Sequence, residues 1–295
     1  MGEKSGIDYV DSSWGPWRGC TKVSQGCAHC YAERNMNRFP RTRAEWAAAN
    51  RPDGVPTRAS HATFFAPRNA KRWPSGSKVF VCPWSDFFHL CVPEYWLDEA
   101  MSVIDRRHDL IWIVPTKRPQ HVLPALRAAH RLTARRENVW LLLSVENQAT
   151  ADERLQWVQA LRPYFGLVGI SAEPLLGPID IHLDIGRFDW LVVGAESGPG
   201  ARWGKWQCSL TCAKLGRCHL DDVRDDTPPP GWCEDAQWPV LPWASELARQ
   251  AHEAAVLVYH KQYPARGIGG RLCTDPRRFP PDLRDRCSPD GYEGT

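Results

Sequence analysis

The chain reads as an α/β protein built on parallel strands. Two patterns carry that reading: short, continuously apolar, β-branched runs, and amphipathic helical segments that alternate with them. A third observation is where the polar residues fall. They cluster just past the carboxyl end of each apolar run, which is where α/β barrels place their active sites.

Taken in order, Tyr9 to Trp14 forms a short first strand, and a cysteine-bearing loop follows. A helix is expected from Cys30 to Phe39, stopped by Pro40, and then a basic, irregular excursion from Arg34 to Trp73. Further strands are Lys78 to Cys82, Leu110 to Val114, Val139 to Leu143, Gly166 to Ile170, Trp190 to Val193 and Ala255 to Tyr259. Helices are expected at Glu94 to Arg107, with Pro93 at its start, and at Gln120 to Arg131, Ala149 to Leu161 and Ala244 to Ala254.

At 295 residues, with 43% hydrophobic, the chain can bury a sizeable core as one large domain or two small ones. A formal net charge of +3 is too mild to argue by itself for a nucleic-acid partner. The first residues do not read as a signal peptide, and no apolar run reaches the ~18 residues of a membrane span. Without a secretion signal, eleven cysteines point to metal ligation in a reducing cytoplasm rather than to disulfides. The fifteen tryptophans are expected as walls of the core or of a cleft.

Cys20, Cys27 and Cys30 stand at the spacing C-x6-C-x2-C, with Gly19 and Gly26 preceding the first two. Three thiolates suit three irons of a [4Fe–4S] cube whose fourth iron is open to a small ligand. They also suit a zinc site completed by His29 or a distant cysteine, and three unconnected thiols remain the plain alternative.

The run Trp14-Gly15-Pro16-Trp17-Arg18-Gly19-Cys20, then Ser24-Gln25-Gly26-Cys27 and Cys30-Tyr31-Ala32-Glu33, resembles the radical S-adenosylmethionine (SAM) enzymes. It is similar in particular to their phage- and prophage-borne branch, distantly related to spore photoproduct lyase. The first cysteine gap is three residues longer than the common C-x3-C-x2-C. Thr116-Lys117-Arg118-Pro119, Ser144 to Gln148, Glu173 to Gly177 and Gly194 to Gly198 resemble further blocks of that branch, so the likeness runs from about Trp14 to Gln262. It implies an α/β partial (β/α)6-type open TIM barrel, with Cys20, Cys27 and Cys30 on a [4Fe–4S] cluster and SAM on the unique iron. The expected organisation is a barrel core over 1–203 with a basic insertion at about 40–75, a cysteine-rich insertion over 204–240, and a final helix, strand and basic wrap over 241–295.

SAM offers an amine, a carboxylate, a ribose diol and an adenine, so its site needs acceptors, cations and amides. The resemblance places SAM contacts at Ser85, Asp86, Ser144, Glu146 and Asn147; Tyr31 beside Cys30, with Ser171 and Ser197 at strand ends, are further candidate cofactor contacts, and Lys117, Glu173, Glu196 and Lys261 at strand ends are the candidate catalytic residues. A single glutamate after a strand is ordinarily a helix cap or a rim salt bridge. Glu146, Glu173 and Glu196 at equivalent places would converge on one cleft, with Lys117, Arg118 and Lys261 to balance them.

Cys208, Cys212, Cys218 and Cys233 form a second set at C-x3-C-x5-C-x14-C, which fits a structural zinc knot, a second iron–sulfur cluster or unligated thiols. The basic excursion and the arginines after 265 read either as solvated surface or as phosphate contacts. The resemblance implies a nucleic-acid substrate, an external electron donor, no membrane, and the cytoplasm of a bacterial host if the chain is phage-encoded. The specific expectation is isomerisation of an amino-acid-modified thymidine in phage DNA. Alternatives are a radical SAM repair lyase or other nucleic-acid modification enzyme, and, in another class, a non-catalytic zinc-stabilised nucleic-acid-binding protein.

Overall fold

The computed structural model describes residues 5–133, 135–181, 187–197, 201–202, 240–264, 272–273, 285–287 and 289. The parallel strands are β1 (Ser12–Trp14), β4 (Lys78–Val81), β5 (Ile111–Thr116), β6 (Arg136–Ser144), β7 (Phe165–Ala172), β8 (Trp190–Gly194) and β9 (Leu257–Pro264). They pair in that sequential order, β1 with β4 and so on to β9, and β10 (Leu272–Cys273) runs antiparallel beside β9. The sheet curls into an open half-barrel, and the seven expected strands are its seven parallel strands. A small ribbon of β2 (Trp17–Arg18) and β3 (Thr57–Arg58) stands outside it.

Alternation along each strand sorts side chains to two faces. Val79 and Val81, Trp112 and Val114, Leu141 and Leu143, and Leu191 and Val193 face the helical layer. There they meet Leu97, Met101 and Ile104 of α4 (Glu94–Arg106), Val122 and Leu126 of α5 (Pro119–Ala128), and Ala244, Leu247 and Ala251 of α8 (Val240–Glu253). Between α5 and α8 lie α6 (Gln148–Leu155) and α7 (Val158–Leu161), where one continuous helix was expected; the break falls at Gln156 and Trp157.

The intervening residues, Phe80, Ile113, Trp140, Leu142, Trp190, Val192 and Tyr259, point into the half-barrel together with Tyr9. Four rings close its floor edge to face: Tyr9 with Trp190 at 5.5 Å, Tyr9 with Tyr259 at 5.5 Å, Trp140 with Trp190 at 5.8 Å and Trp190 with Tyr259 at 6.3 Å. Such pairs add stabilisation beyond burial, by about 0.5–1.5 kcal/mol each.

The excursion is more ordered than expected. Pro40 starts a helix instead of only stopping one: α1 (Tyr31–Met36) ends, and Pro40 occupies the first turn of α2 (Pro40–Ala49), where its missing N–H is no loss. The short α3 (His61–Phe64) then packs Phe64 against Trp14, whose indole N–H donates to the Phe64 carbonyl at 3.0 Å. The basic residues largely serve the protein. Arg18 and Arg41 pair with Glu45, Arg43 donates to the Asn37 carbonyl, Arg58 pairs with Glu99, and Arg68 lies 3.9 Å over the Phe65 ring. A shallow cavity of about 430 Å3 on this excursion is lined by His61, Phe65, Arg68, Asn69 and Arg72 among others and includes no residue of the cysteine loop. Among the described residues no helix is long and apolar enough to cross a membrane.

Trp190 is fully buried at the centre of the floor. Trp190→Ala is expected to lower unfolding free energy by about 3–5 kcal/mol in chemical denaturation, the cost of a large aromatic cavity.

Candidate active site at the mouth of the half-barrel

The cysteine loop joins β2 to α1 across the carboxyl ends of the strands. Its shape depends on two glycines. Gly19 has φ +96°, and a Cβ there would lie 2.5 Å from the Ala49 Cβ, so the chain turns at this point only with glycine. The Gly19 N–H donates to the Trp84 carbonyl at 2.8 Å, and Ser85 Oγ donates to the Gly19 carbonyl at 2.6 Å. Gly26 lies against Glu146, whose Cγ and Oε1 would be 2.5 Å from an added Cβ.

Cys20, Cys27 and Cys30 are free and partly buried. Cys20 and Cys30 pack against the same patch of Ala32, Met36 and Trp46. Burial, and then the charge of Asp86, pushes the Cys20 thiol up to about 12, with Arg118 opposing. Burial also raises Cys30, while the backbone N–H groups of Ala32 and Glu33 at the start of α1 pull the other way. Thiols kept protonated by burial are inert until a metal displaces the proton. His29 Nδ1 stands 3.2 Å from Glu196 Oε2. Among the described residues no three His, Cys, Asp or Glu side chains are grouped to hold one metal ion.

Glu146, just past β6, is fully buried. Ser24 Oγ donates to its Oε1 at 2.8 Å, Arg154 Nη1 donates to both oxygens at 3.2 Å, and Lys117 Nζ lies 3.4 Å from Oε1. Burial alone would raise this carboxyl, but the charges of Lys117 and Arg154 and the donors Ser24 and Arg154 together hold it below its usual range. The carboxylate thereby braces the cysteine loop to the sheet.

Glu173, past β7, is paired differently. Lys261 Nζ lies 2.8 Å from Oε1, while Tyr9 Oη and Ser171 Oγ each donate to Oε2 at 3.3 Å. Burial first, and then the Glu173 charge, raises the Tyr9 phenol well above its usual value. Lys117 Nζ also donates to the Glu173 carbonyl at 3.4 Å, so one ammonium links this site to Glu146. The third glutamate, Glu196, binds Arg202 through Nε at 3.0 Å, Nη2 at 2.6 Å and the backbone N–H at 2.7 Å. The same Arg202 Nη2 donates to the Gln25 carbonyl at 2.7 Å, tying the end of β8 to the cysteine loop.

Each expected contact residue has a defined place. Lys117, Glu173 and Lys261 share one network inside the mouth. Ser144 is buried at the end of β6. Ser171 is committed to Glu173. Ser85 fastens Gly19, and Asp86 accepts from Thr116 Oγ1 at 2.9 Å and from the N–H groups of Lys117 and Phe88, both at 2.9 Å. Asn147 caps α6, accepting from the Thr150 N–H at 3.1 Å. The Tyr31 hydroxyl is raised by burial and then by the charges of Cys30 and Glu173, although part of the ring reaches solvent. Ser197 offers its carbonyl to Arg34 at 3.2 Å. Arg118, expected to balance the glutamates, turns instead to the cysteine loop, where its Nη2 donates to the Thr21 carbonyl at 2.9 Å. Cys208, Cys212, Cys218 and Cys233 lie outside the described residues.

Sequence reasoning missed Tyr9, Ser24, Arg154 and Arg202. Arg154 had a signal: it falls between Ala151 and Leu155 on the buried face of α6, where an unpartnered cation is untenable. Ser24 had none, since Glu146 lies 122 residues away, and Arg202 reaches the cysteine loop through Gln25, 177 residues away.

A family model described as "Protein of unknown function (DUF5131)" matches residues 4–216. The chain belongs to that family. No curated protein matches this DUF5131 chain. Among solved structures it is similar to a variant of spore photoproduct lyase, with TM-score 0.45 and 12% identity over 88% of this chain and 81% of that one. A complex of spore photoproduct lyase with dinucleoside spore photoproduct gives TM-score 0.44 and 12% identity over 83% and 75% of the two chains. A variant with bound AdoMet and the same dinucleoside gives 0.44 and 12% over 83% and 73%.

Arg154→Met leaves the Glu146 charge buried with Lys117 as its one remaining cation. A loss of about 3–5 kcal/mol at pH 7 is expected from denaturant titration. Because the folded pKa of Glu146 is depressed, its contribution is complete above the unfolded carboxyl value of ~4.3 and is lost as pH falls through the lower folded value. The gap between wild type and variant is therefore expected to narrow in acid.

Proposed function

We propose that the chain is a radical SAM enzyme acting on nucleic acid, with Cys20, Cys27 and Cys30 as ligands of a [4Fe–4S] cluster and SAM as its partner at the fourth iron. The observation that carries this reading is one loop with three free thiols, fastened across the mouth of a parallel half-barrel by Glu146, Arg118 and Arg202. The donor set fits the group. A single zinc ion needs all its sulfurs about 2.3 Å from one centre, whereas a cube takes each thiolate on a separate iron. The α1 N–H groups directed at Cys30, and Lys117 and Arg118 close by, suit an anionic cluster.

When bound, the cluster supplies the electron that splits SAM into methionine and a radical able to abstract an unactivated hydrogen. The protein's share is placement and exclusion of water. Ser24 and Glu146 fix the loop height over the sheet. Lys117, Lys261, Glu173 and Ser171 present paired charges and hydroxyls to ligand groups in the mouth, and the aromatic floor keeps water from entering beneath them. Tyr9 Oη keeps its proton and hydrogen-bonds through it to Glu173.

The substrate we infer is a thymidine of phage DNA that carries an amino-acid-like substituent, isomerised at its carbon–nitrogen linkage. The resemblance of the cysteine loop and strand-end blocks to the phage branch supports this. A base in duplex would have to flip out to reach a mouth floored by packed rings.

Anaerobic reconstitution is expected to give about four irons per chain and SAM cleavage under reduction, both lost in Cys27→Ala. Mass spectrometry of nucleosides from phage DNA incubated with the enzyme should then show a product of unchanged mass and altered retention. A product of lower mass would place the chain among lyases, and a colourless zinc protein would end the catalytic reading.

A further inference from the structure

Arg118 lies two residues past the end of β5 and is the residue that precedes α5, with φ −131° and ψ 52°. Its side chain is buried, at 5% exposure. All of its side-chain hydrogen bonds run through Nη2 to one dipeptide: the Thr21 carbonyl at 2.9 Å, Thr21 Oγ1 at 2.6 Å and Cys20 Sγ at 3.8 Å. Nε has no hydrogen-bond partner.

No carboxylate among the described residues forms an ion pair with it. Asp86, which acts on the same Cys20, turns its oxygens to Thr116, Lys117 and Phe88. Glu146 and Glu173 are engaged by Lys117, Arg154 and Lys261. The two imidazoles in its field cannot share the charge. Burial, followed by Arg118 itself, keeps His89 and His121 neutral, and His89 Nε2 grips Thr21 Oγ1 from the other side at 3.1 Å. A buried guanidinium without an anion in contact costs several kcal/mol. Cys20 Sγ, 3.8 Å from Nη2, is the atom in reach that would be an anion as a cluster ligand.

We propose that Arg118 is a positioning residue for the Cys20 thiolate, setting a fixed positive charge against one corner of the cluster and raising its reduction potential. The inference rests on the cysteine assignment above. A cluster gains one negative charge when reduced, so a cation held beside one of its sulfurs stabilises the reduced form more than the oxidised form. Lys117, the neighbouring cation, cannot substitute, because it is turned to Glu146 and Glu173.

The test is an EPR-monitored redox titration with dithionite of the reconstituted full chain, in the absence of substrate. Arg118→Gln keeps a hydrogen-bond donor and removes the charge. Its reduction equilibrium is expected to become about tenfold less favourable, a drop of about 59 mV for one electron. Arg118→Lys is expected to recover most of that drop. Equal potentials in wild type, Gln and Lys variants would show that Arg118 merely staples Thr21, and would overturn the proposal while leaving the cluster reading intact. Absence of iron in the wild type would remove the cluster reading, and the proposal with it. Should Arg118→Gln fail to fold by circular dichroism, Thr21→Val takes its place. It keeps the charge but releases the guanidinium, so a smaller downward shift is expected and an unchanged potential overturns the proposal.

Discussion

The cysteine loop stands where it does because a charged carboxylate has been buried beneath it. Glu146 has no solvent exposure, and an isolated carboxylate in that place would protonate or pull the structure open. It remains charged because Arg154 reaches it from the helix behind the sheet and Lys117 from the neighbouring strand end. Ser24 then accepts the position left to it, and Gly26 lets the backbone come within contact distance of the carboxylate. Any side chain at 26 would lift the loop, and with it Cys27.

The same separation of apolar and polar groups organises the whole half-barrel. Each strand gives alternate residues to the helical layer and to the interior, and the interior changes character from one end to the other. Rings fill the floor, while hydroxyls, carboxylates and ammonium groups occupy the mouth. Tyr9 belongs to both regions, with its ring in the floor and its hydroxyl on Glu173. The three glutamates of the mouth do not pool their charge, since each has a cation of its own. The mouth is therefore a set of fixed, paired dipoles that binding need not reorganise.

Strand existence and order were legible because buried parallel strands are continuous apolar runs, and no other reading accommodates seven of them alternating with helices. Their ends were less so. Thr116, Ser144, Ser171 and Lys261 lie within strands rather than after them, because small or long polar side chains pair in the ladder as well as apolar ones when they point into a polar mouth. Pro40 misled for a local reason: the residue that breaks one helix is also suited to begin the next. Partnership was the least legible property. Glu146 and Glu173 look alike in sequence, yet the first is a brace and the second is linked to Lys261 and Tyr9. Lys117 and Arg118 are adjacent and chemically similar, and they diverge only because the backbone turns between them.

The bonds that hold the cysteine loop also fix when it can take shape. Ser24 waits for Glu146, which lies 122 residues further on, His29 for Glu196 at 167 residues, and Gln25 for Arg202 at 177. During synthesis the cysteine loop therefore leaves the ribosome well before the residues that support it. Domains form as units once their distant contacts exist. The thiols thus pass through a long nascent interval unshielded, and the loop becomes a fixed receptacle only after translation has passed β8.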